Sequence, residues 1–236
     1  MDIQIYHFVE GARQARGLTV IIDVFRAFSV ACYVTAGGVQ NLLPVGSMDT
    51  AYRLKQDNPE YILIGERGGV IQPGFDYGNS PFSIQAVDFS GRTIVHTTSA
   101  GTQGLVNAVN ADEIITGSFV NAQAIIDYIR IRNPKHVSLV CMGWGALEEA
   151  DEDTLFAQYV KNALEGKPND FQDIVRYLSL ESKTGKFLDM TDASAPPEDF
   201  DLCLSLNRFP FVLKAEPHGE SLIRLRKLGV VEGVML

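Results

Sequence analysis

Four carboxylates stand close behind apolar runs of the sequence, where folding could bring them together. They are Asp23, Glu66, Glu152 and Asp153. Carboxylate oxygens are the hard ligands that Mg²⁺ prefers in proteins. A cation held in this way neutralises charge on a phosphate, which is the main requirement of phosphoryl transfer. These residues therefore predict a Mg²⁺ site, and Asp23 is also a candidate catalytic residue.

Residues suited to binding an oxyanion accompany the carboxylates. Arg26 and Arg67 could each clamp a phosphate with two parallel hydrogen bonds, which makes them candidate catalytic and substrate-binding residues. Residues 97–102 (TTSAGT) precede a predicted helix. Hydroxyls and free N–H groups at the positive end of a helix dipole could cradle an anion there. The cradle residues would be Thr97, Thr98, Ser99, Gly101 and Thr102.

Each of these features also has an ordinary structural explanation. Asp23 could cap the helix that follows it, and Glu66 could form an exposed ion pair with Arg67. Residues 97–102 could form a common strand-to-helix turn, and the acidic run 148–153 could be a solvated helix start. His96, inside a predicted strand, fits a structural histidine better than a base. Only the joint placement of these groups favours a functional site.

Strands and helices alternate along the first two-thirds of the chain. Strands are predicted at 18–24, 42–45, 61–64, 93–97, 113–116 and 137–142, and helices at 27–36, 47–55, 101–109, 121–131 and 152–164. Alternation of this kind predicts an α/β fold, layered α/β/α, with a largely parallel or mixed sheet. Ligands bind beyond the carboxyl ends of such strands, which is where the candidate residues lie.

The alternation weakens after Gly166. A helix at 171–180, a polar loop at 183–201, a strand at 209–215 and a basic helix at 220–228 are expected. The length of 236 residues fits a single domain spanning 1–236, with a smaller C-terminal subregion from about residue 166.

Composition indicates which partners and which cellular compartment are expected. A formal net charge of −9 argues against nucleic acid and anionic membranes. Cys32, Cys141 and Cys203 lack C-x-x-C spacing and fit reduced thiols, so a cytoplasmic location is expected. The sequence has no signal-peptide pattern and no apolar run of the ~20 residues that a membrane helix needs. Fingerprints of dinucleotide sites, P-loops and serine-hydrolase elbows are missing as well.

Seven short motifs occur in a characteristic order. They are 20–27 (VIIDVFRA), 65–69 (GERGG), 74–81 (GFDYGNSP), 91–102 (GRTIVHTTSAGT), 117–122 (GSFVNA), 152–157 (EDTLFA) and 203–212 (CLSLNRFPFV). Together they resemble the 2-phosphosulfolactate phosphatase (ComB-type) family from about residue 18 to 215. The sequence departs from the family pattern at Phe28, Ala100 and Gln158, which bears on the acid accepted more than on the reaction type.

The resemblance implies a Mg²⁺-dependent hydrolase that converts (2R)-2-phospho-3-sulfolactate into 3-sulfolactate and phosphate, a step towards coenzyme M. It implies that Asn79 and Ser118 bind the substrate and that Asp76 joins the metal ligands. Asp23 could ligate the metal or accept the phosphoryl group. The expected partner is a small phosphorylated or sulfonated acid, and a homo-oligomer is compatible with the sequence.

Two other functions compete with the phosphatase. A non-catalytic anion-binding or regulatory protein could use the same cradle. This interpretation is favoured if the carboxylates do not lie together in the folded protein. A serine-based acyl hydrolase could use Ser99 or Ser118 with His96, and it would need no metal.

Overall fold

The computed structural model describes residues 1–188, 195–231 and 234–235. Its strands are β1 Asp2–His7, β2 Leu18–Ile22, β3 Asn41–Pro44, β4 Ile62–Gly65, β5 Thr93–Thr97, β6 Glu113–Gly117, β7 His136–Cys141, β8 Phe211–His218, β9 Leu222–Val231 and β10 Val234–Met235. Its α-helices are α1 Phe8–Gln14, α2 Ala27–Ala36, α3 Met48–Asp57, α4 Pro81–Ile84, α5 Gly101–Asn107, α6 Ala122–Arg132, α7 Asp151–Leu164, α8 Phe171–Leu180 and α9 Glu198–Cys203. Short 3₁₀ helices cover Phe119–Asn121 and Lys183–Leu188.

The described strands form two sheets. A seven-stranded sheet has the order β1-β7-β2-β6-β8-β9-β10, and a three-stranded sheet has the order β3-β5-β4. Strands β1, β7, β2 and β6 run parallel to one another, whereas β8 and β9 are antiparallel to their neighbours. All three strands of the small sheet are parallel. The predicted α/β class and the largely parallel pairing are confirmed, and the division into two sheets is new.

Side chains that alternate along β2 belong to two separate hydrophobic clusters. Val20 and Ile22 pack with α6 and α7 on one face of the large sheet. Ile21 packs with α2 and with Ile64 and Ile94 of the small sheet on the other face. Because successive strand residues point to opposite faces, β2 is covered on both sides, as its continuous hydrophobicity predicts. Helix α2 thus lies between the two sheets, which explains why all its residues from Ala27 to Thr35 are buried.

The C-terminal part departs most from the sequence-based predictions. The basic helix expected at 220–228 is wrong, because β9 pairs with β8 from His218↔Leu222 to Phe211↔Gly229 in one hairpin. Leu, Arg and Lys favour helices locally, but this long pairing overrides local propensity. Strand β1 was not predicted. Of the loop expected at 183–201, residues 189–194 lie outside the described residues, while 183–188 and 198–203 are helical. Strand β8 pairs with β6, so the C-terminal subregion contributes to the main sheet.

Candidate functional site

Strand register brings the predicted carboxylates to one edge of the fold. Ile22, the last residue of β2, pairs with Gly117 of β6 and Cys141 of β7, so these three strands end together. In the small sheet, Gly65 of β4 pairs with Thr97 of β5, so Glu66 and the 97–102 loop emerge side by side. A hydrogen bond from Gly101 N to Asp23 Oδ2, 2.8 Å long, joins the ends of the two sheets.

Asp23 and Asp153 are each held by two backbone donors. Asp23 accepts from Ala27 N at 3.0 Å and from Gly101 N at 2.8 Å. Asp153 accepts from Val24 N at 2.8 Å and from Gly143 N at 2.9 Å. Both side chains are therefore fixed by main chain. Asp23 accepts from the first N–H group of α2, although the N-cap position itself is Arg26.

The two glutamates are fixed by hydroxyl and backbone donors. Glu66 Oε1 accepts from Ser99 N at 2.7 Å, and Oε2 accepts from Gly69 N at 2.7 Å and Ser99 Oγ at 3.0 Å. Glu152 Oε2 accepts from Thr184 Oγ1 at 2.6 Å. Glu66 and Glu152 are both buried, so neither the exposed ion pair nor the solvated helix start describes them.

Burial and mutual repulsion raise the pKa values of the aspartates. Removal from water raises the pKa of Asp23 to about 7, and the charges of Glu66 and Glu152 add to this effect. Burial also raises the pKa of Asp153 well above its ordinary value, with further contributions from Asp23 and Glu152. Four buried carboxylates that repel one another form a site where a cation would stabilise the ionised forms.

The donor chemistry of this cluster fits Mg²⁺. In the described part of the chain, no three His, Cys, Asp or Glu side chains form a preformed metal cage. Mg²⁺ does not require such a cage, because it usually keeps several waters and binds one or two carboxylates together with substrate phosphate. Asp23 and Glu66, which both line a cavity, could supply those carboxylates. Asp153 and Glu152 complete the negative surroundings.

A cavity of about 260 Å³ lies at this edge of the fold. It is lined by Asp23, Phe25, Arg26, Glu66, Gly68, Gly69, Asn79, Ser99, Ala100, Gly143, Trp144, Gly145, Phe187 and Ala195. A small acid fits a space of this size. The cavity therefore brings together the carboxylates, one arginine and an aromatic surface.

Arg26 is fixed by an aspartate far along the chain. Its Nη1 donates to Asp199 Oδ2 at 2.6 Å, and its guanidinium lies 5.3 Å from the centre of the Phe187 ring. Asp199 also accepts from Ser80 Oγ at 2.9 Å and Phe82 N at 2.8 Å. Among the described residues, Nε and Nη2 of Arg26 have no hydrogen-bond partner, so this edge of the guanidinium could bind an oxyanion.

The anion cradle predicted at 97–102 differs from what the structure shows. Gly101 N and Ser99 N donate to the Asp23 and Glu66 carboxylates. The Thr98 and Thr102 hydroxyls each accept a hydrogen bond from the other's backbone N–H, so they stabilise the turn itself. The backbone donors of Ser99 and Gly101 thus orient acidic side chains, so these two N–H groups are not free to bind an anion.

Arg67 and Thr97 do not line the cavity. Arg67 donates to Thr97 Oγ1 and to the Glu66 carbonyl, both at 2.7 Å, and to the Gly46 carbonyl at 3.4 Å. Arg67 was predicted to clamp a phosphate. In the structure its guanidinium instead links the ends of β4 and β5.

Asp76 and Ser118 lie apart from the cavity as well. Asp76 accepts from Leu63 N at 2.8 Å and pairs with Lys55 at 3.4 Å, so its carboxylate is engaged away from the proposed metal ligands. The Ser118 hydroxyl is buried against the Ser29 hydroxyl at 2.6 Å. Asn79 does line the cavity, and its Oδ1 lies 3.2 Å from His96 Nε2.

The contacts of His96 do not support a serine nucleophile. Burial, together with the charge of Arg67, lowers the pKa of His96 to about 4, so the ring is neutral near pH 7. Within the described residues, its one hydrogen-bond partner is Asn79, while Ser99 is bonded to Glu66 and Ser118 to Ser29. His96 is thus a structural residue, as its place inside a strand suggests.

Four residues of the C-terminal part that contact the site were not predicted: Thr184, Phe187, Ala195 and Asp199. All lie beyond the regular alternation of strands and helices, where a polar loop was expected. Asp199 is completely buried although it is charged, which is rare without a partner. No local pattern in PPEDFD distinguishes it from its acidic neighbours, because its partners are 119 and 173 residues away.

Comparison with known proteins identifies the family. The family of 2-phosphosulpholactate phosphatases matches residues 5–217. The chain belongs to this family. A relative from Bacillus subtilis named "Probable 2-phosphosulfolactate phosphatase" is 28% identical and covers 93% of this chain and 96% of its own length. Relatives of the same name from Carboxydothermus hydrogenoformans and Caldicellulosiruptor saccharolyticus are 33% and 37% identical, over 95% and 65% of this chain and 84% and 65% of their own lengths.

The chain is therefore an enzyme of a phosphatase family, a class of phosphoric monoester hydrolases, as the motifs indicate. A non-catalytic or serine-based function gains no support from the comparisons. Among the described residues, no helix is both long and apolar enough to cross a membrane.

Proposed function

We propose that the protein is a Mg²⁺-dependent phosphatase that hydrolyses 2-phosphosulfolactate or a related phosphorylated small acid to the hydroxy acid and phosphate. One observation carries the proposal: buried Asp23 and Glu66 share a small cavity with Arg26, and Glu152 and Asp153 lie behind them. The names of the relatives support the substrate class.

In this proposal the acidic residues bind the metal ion, and Arg26 and Asn79 bind the substrate. Asp23 and Glu66 would hold Mg²⁺, which when bound polarises the phosphate and neutralises its oxygens. Arg26 would donate its Nε–Nη2 edge to oxygens of the substrate, and Asn79 could add an amide donor. The backbone donors on Asp23 and Asp153 fix these carboxylates before substrate arrives, so less conformational freedom is lost on binding. Direct attack by water and transfer through Asp23 both remain compatible with this placement.

The experiment is a phosphate-release assay with 2-phosphosulfolactate in Mg²⁺ and in a chelator. We expect release only with Mg²⁺. Glu66→Gln keeps the shape of the side chain and removes its charge, so the Mg²⁺ concentration for half-maximal rate should rise about tenfold or more. Glu60→Gln changes an exposed glutamate outside the cavity and is the matched control. Equal Mg²⁺ dependence in Glu66→Gln and wild type would remove Glu66 from the metal site.

We also infer a cytoplasmic location. Cys32, Cys141 and Cys203 are buried free thiols. Free cysteines of this kind are typical of reducing compartments.

A further inference from the structure

A buried histidine lies directly behind one of the residues that line the cavity. Nε2 of His96 lies 3.2 Å from Oδ1 of Asn79, and both side chains are almost completely buried. Asn79 lines the cavity, whereas His96 is not among the described residues that do so. His96 can therefore affect a bound substrate only through Asn79.

The backbone of His96 is fixed at the centre of the small sheet. Strand β5 lies between β3 and β4, and His96 pairs with Pro44 on one side and Ile64 on the other. Among the described residues, Nδ1 of the buried imidazole has no hydrogen-bond partner. An unpaired buried polar atom costs free energy, so an apolar side chain would stabilise this position better than histidine does.

The backbone on either side of Asn79 is held by other contacts. Gly65 N donates to Tyr77 O at 3.1 Å, and Ser80 Oγ donates to Asp199 Oδ1 at 2.9 Å. The loop that carries Asn79 therefore keeps its place without the histidine. What the imidazole can determine is the rotation of the amide group at the end of the side chain.

The imidazole is the donor in the hydrogen bond to Asn79. Burial lowers the pKa of His96 to about 4, with a further contribution from the charge of Arg67, so the ring carries a single proton near pH 7. The atom of Asn79 in this contact is the carbonyl oxygen, which can only accept. The contact therefore assigns the proton of the neutral ring to Nε2.

This hydrogen bond determines which end of the Asn79 amide faces the cavity. Oδ1 is turned towards His96, and among the described residues Nδ2 has neither a hydrogen-bond partner nor complete burial. Nδ2 is thus available as a donor at the cavity. A rotated amide would present an oxygen to a space that already contains the Asp23 and Glu66 carboxylates, and this oxygen would repel an anion.

We propose that His96 is a positioning residue, whose Nε2–H group fixes the Asn79 amide so that Nδ2 donates to an oxyanion of the substrate. The proposal rests on the proposed phosphatase function for the identity of that substrate. Arg26 is held from behind by Asp199 in a comparable way. A donor that is fixed before the substrate arrives loses less conformational freedom on binding.

Two substitutions of His96 test the proposal through KM. His96→Met fills a similar volume without a donor, and His96→Gln keeps an N–H group near the position of Nε2. With 2-phosphosulfolactate and Mg²⁺, KM should rise about fivefold in His96→Met while kcat changes less than about twofold, because the contact is made equally in the bound and transition states. KM of His96→Gln should stay within about twofold of wild type. An equal rise in both variants, or no rise in His96→Met, would overturn the proposal.

A double-mutant cycle shows whether His96 acts through Asn79. Asn79→Ala removes the amide, so KM should rise about tenfold or more. In the Asn79→Ala background, His96→Met should raise KM by less than about twofold further. Additive effects would mean that His96 acts by another route and would overturn the proposal. His136→Met changes an exposed histidine outside the cavity and should keep the KM of wild type.

Melting temperature separates positioning from a structural role. We expect His96→Met to melt at the same temperature as wild type or above it, because the variant loses an unpaired buried nitrogen. A lower melting temperature together with an unchanged KM is the result expected of a purely structural histidine and would overturn the proposal.

Two measurements that need no turnover distinguish this proposal from the phosphatase function. In ¹⁵N NMR of wild type at pH 7, the ring whose signals vanish in His96→Met should be neutral and protonated at Nε2. Titration calorimetry with inorganic phosphate and with 3-sulfolactate, each in Mg²⁺, should show that His96→Met weakens the same anion as Asn79→Ala, about fivefold. A proton on Nδ1, or unchanged Kd values for both anions in His96→Met, would overturn the proposal. Both expected results from a protein that releases no phosphate would refute the phosphatase function and leave the role of His96 standing.

Discussion

The two sides of the cavity are built in different ways. On the acidic side, the carboxylates of Asp23, Glu66 and Asp153 accept hydrogen bonds mainly from backbone N–H groups at strand and helix ends. On the other side, Arg26 is held by a side chain, Asp199, that comes from α9 near the end of the chain. The acidic side thus depends on the parallel-strand framework, whereas the position of Arg26 depends on one long-range contact.

This difference predicts where substitutions should act. If the proposed function holds, a change on the acidic side should alter charge at the reacting phosphate but leave its backbone donors in place. A change at Asp199 leaves a buried arginine without its partner, which should affect both stability and, on the proposed function, substrate binding. The predictions that follow separate these outcomes.

The largest effect is expected for Asp23→Asn. This substitution removes a charge from the centre of the carboxylate cluster, so kcat should fall about a thousandfold or more. Circular dichroism should show an unchanged fold, because the amide oxygen can still accept one of the two backbone hydrogen bonds. Asp57→Asn, at an exposed position of α3, is the control. Near-normal turnover of Asp23→Asn would exclude both the metal-ligand and the nucleophile role.

Asp199→Asn tests the opposite side. The substitution removes the charge that pairs with Arg26 and keeps a side chain of the same shape for Ser80 and Phe82. We expect the free energy of unfolding to fall by about 3 kcal/mol, since a buried charge loses its partner. We also expect kcat/KM to fall about a hundredfold as Arg26 loses its fixed position. Urea denaturation and steady-state kinetics measure the two effects.

Two further variants show whether the effects of Asp199→Asn come from the buried ion pair. Asp173→Asn removes an exposed partner of Arg176 and should cost less than about 1 kcal/mol. The double substitution Arg26→Met and Asp199→Asn should recover stability but not activity. Recovery of both would mean that the ion pair has no role at the reacting phosphate.

The acidic side was largely predictable from sequence, and the Arg26 side was not. Asp23 and Glu66 follow apolar runs whose strand character is plain, so their place at strand ends follows from the sequence, whereas the meeting of the two separate sheets and of Asp153 on α7 does not. Asp199 shows no such signal, because it acts through residues more than 100 positions away. For the same reason β9 was predicted as a helix: its strand conformation is determined by pairing with β8 and not by its local sequence. At 97–102 the sequence indicates free donors but not which acceptors engage them, and Ser99 N and Gly101 N donate to Glu66 and Asp23.

Stability should depend on pH through the acidic side. The pKa of Asp23 in the folded protein is about 7, above its ordinary 3.8, so protonation favours the folded state. Its contribution to stability is complete below about pH 4 and is lost as pH rises through about 7. In a chelator, the free energy of unfolding should decline over this range by at most about 1.4 kcal/mol per pH unit for each such carboxyl.

The matched experiment compares wild type with Asp23→Asn in urea at pH 5 and pH 8. The variant should be the more stable protein at pH 8 without metal. Addition of Mg²⁺ at pH 8 should stabilise wild type more than the variant. If the two proteins keep the same stability difference at both pH values, the Asp23 carboxyl is not the group that titrates.

The smallest effect is expected for Arg67→Lys, and it contrasts the two arginines directly. Arg67 donates to Thr97 Oγ1 and to two carbonyls outside the cavity, whereas Arg26 lines the cavity. Lysine keeps the charge but loses the planar fork, so it disturbs an anion site only where that fork binds the anion. Inhibition by inorganic phosphate should weaken about tenfold in Arg26→Lys and change by less than about threefold in Arg67→Lys. Melting temperature should fall slightly in Arg67→Lys, because lysine cannot satisfy all three acceptors. Equal loss of phosphate inhibition in both variants would return Arg67 to the substrate site and would mean that its side chain turns into the cavity when an anion binds.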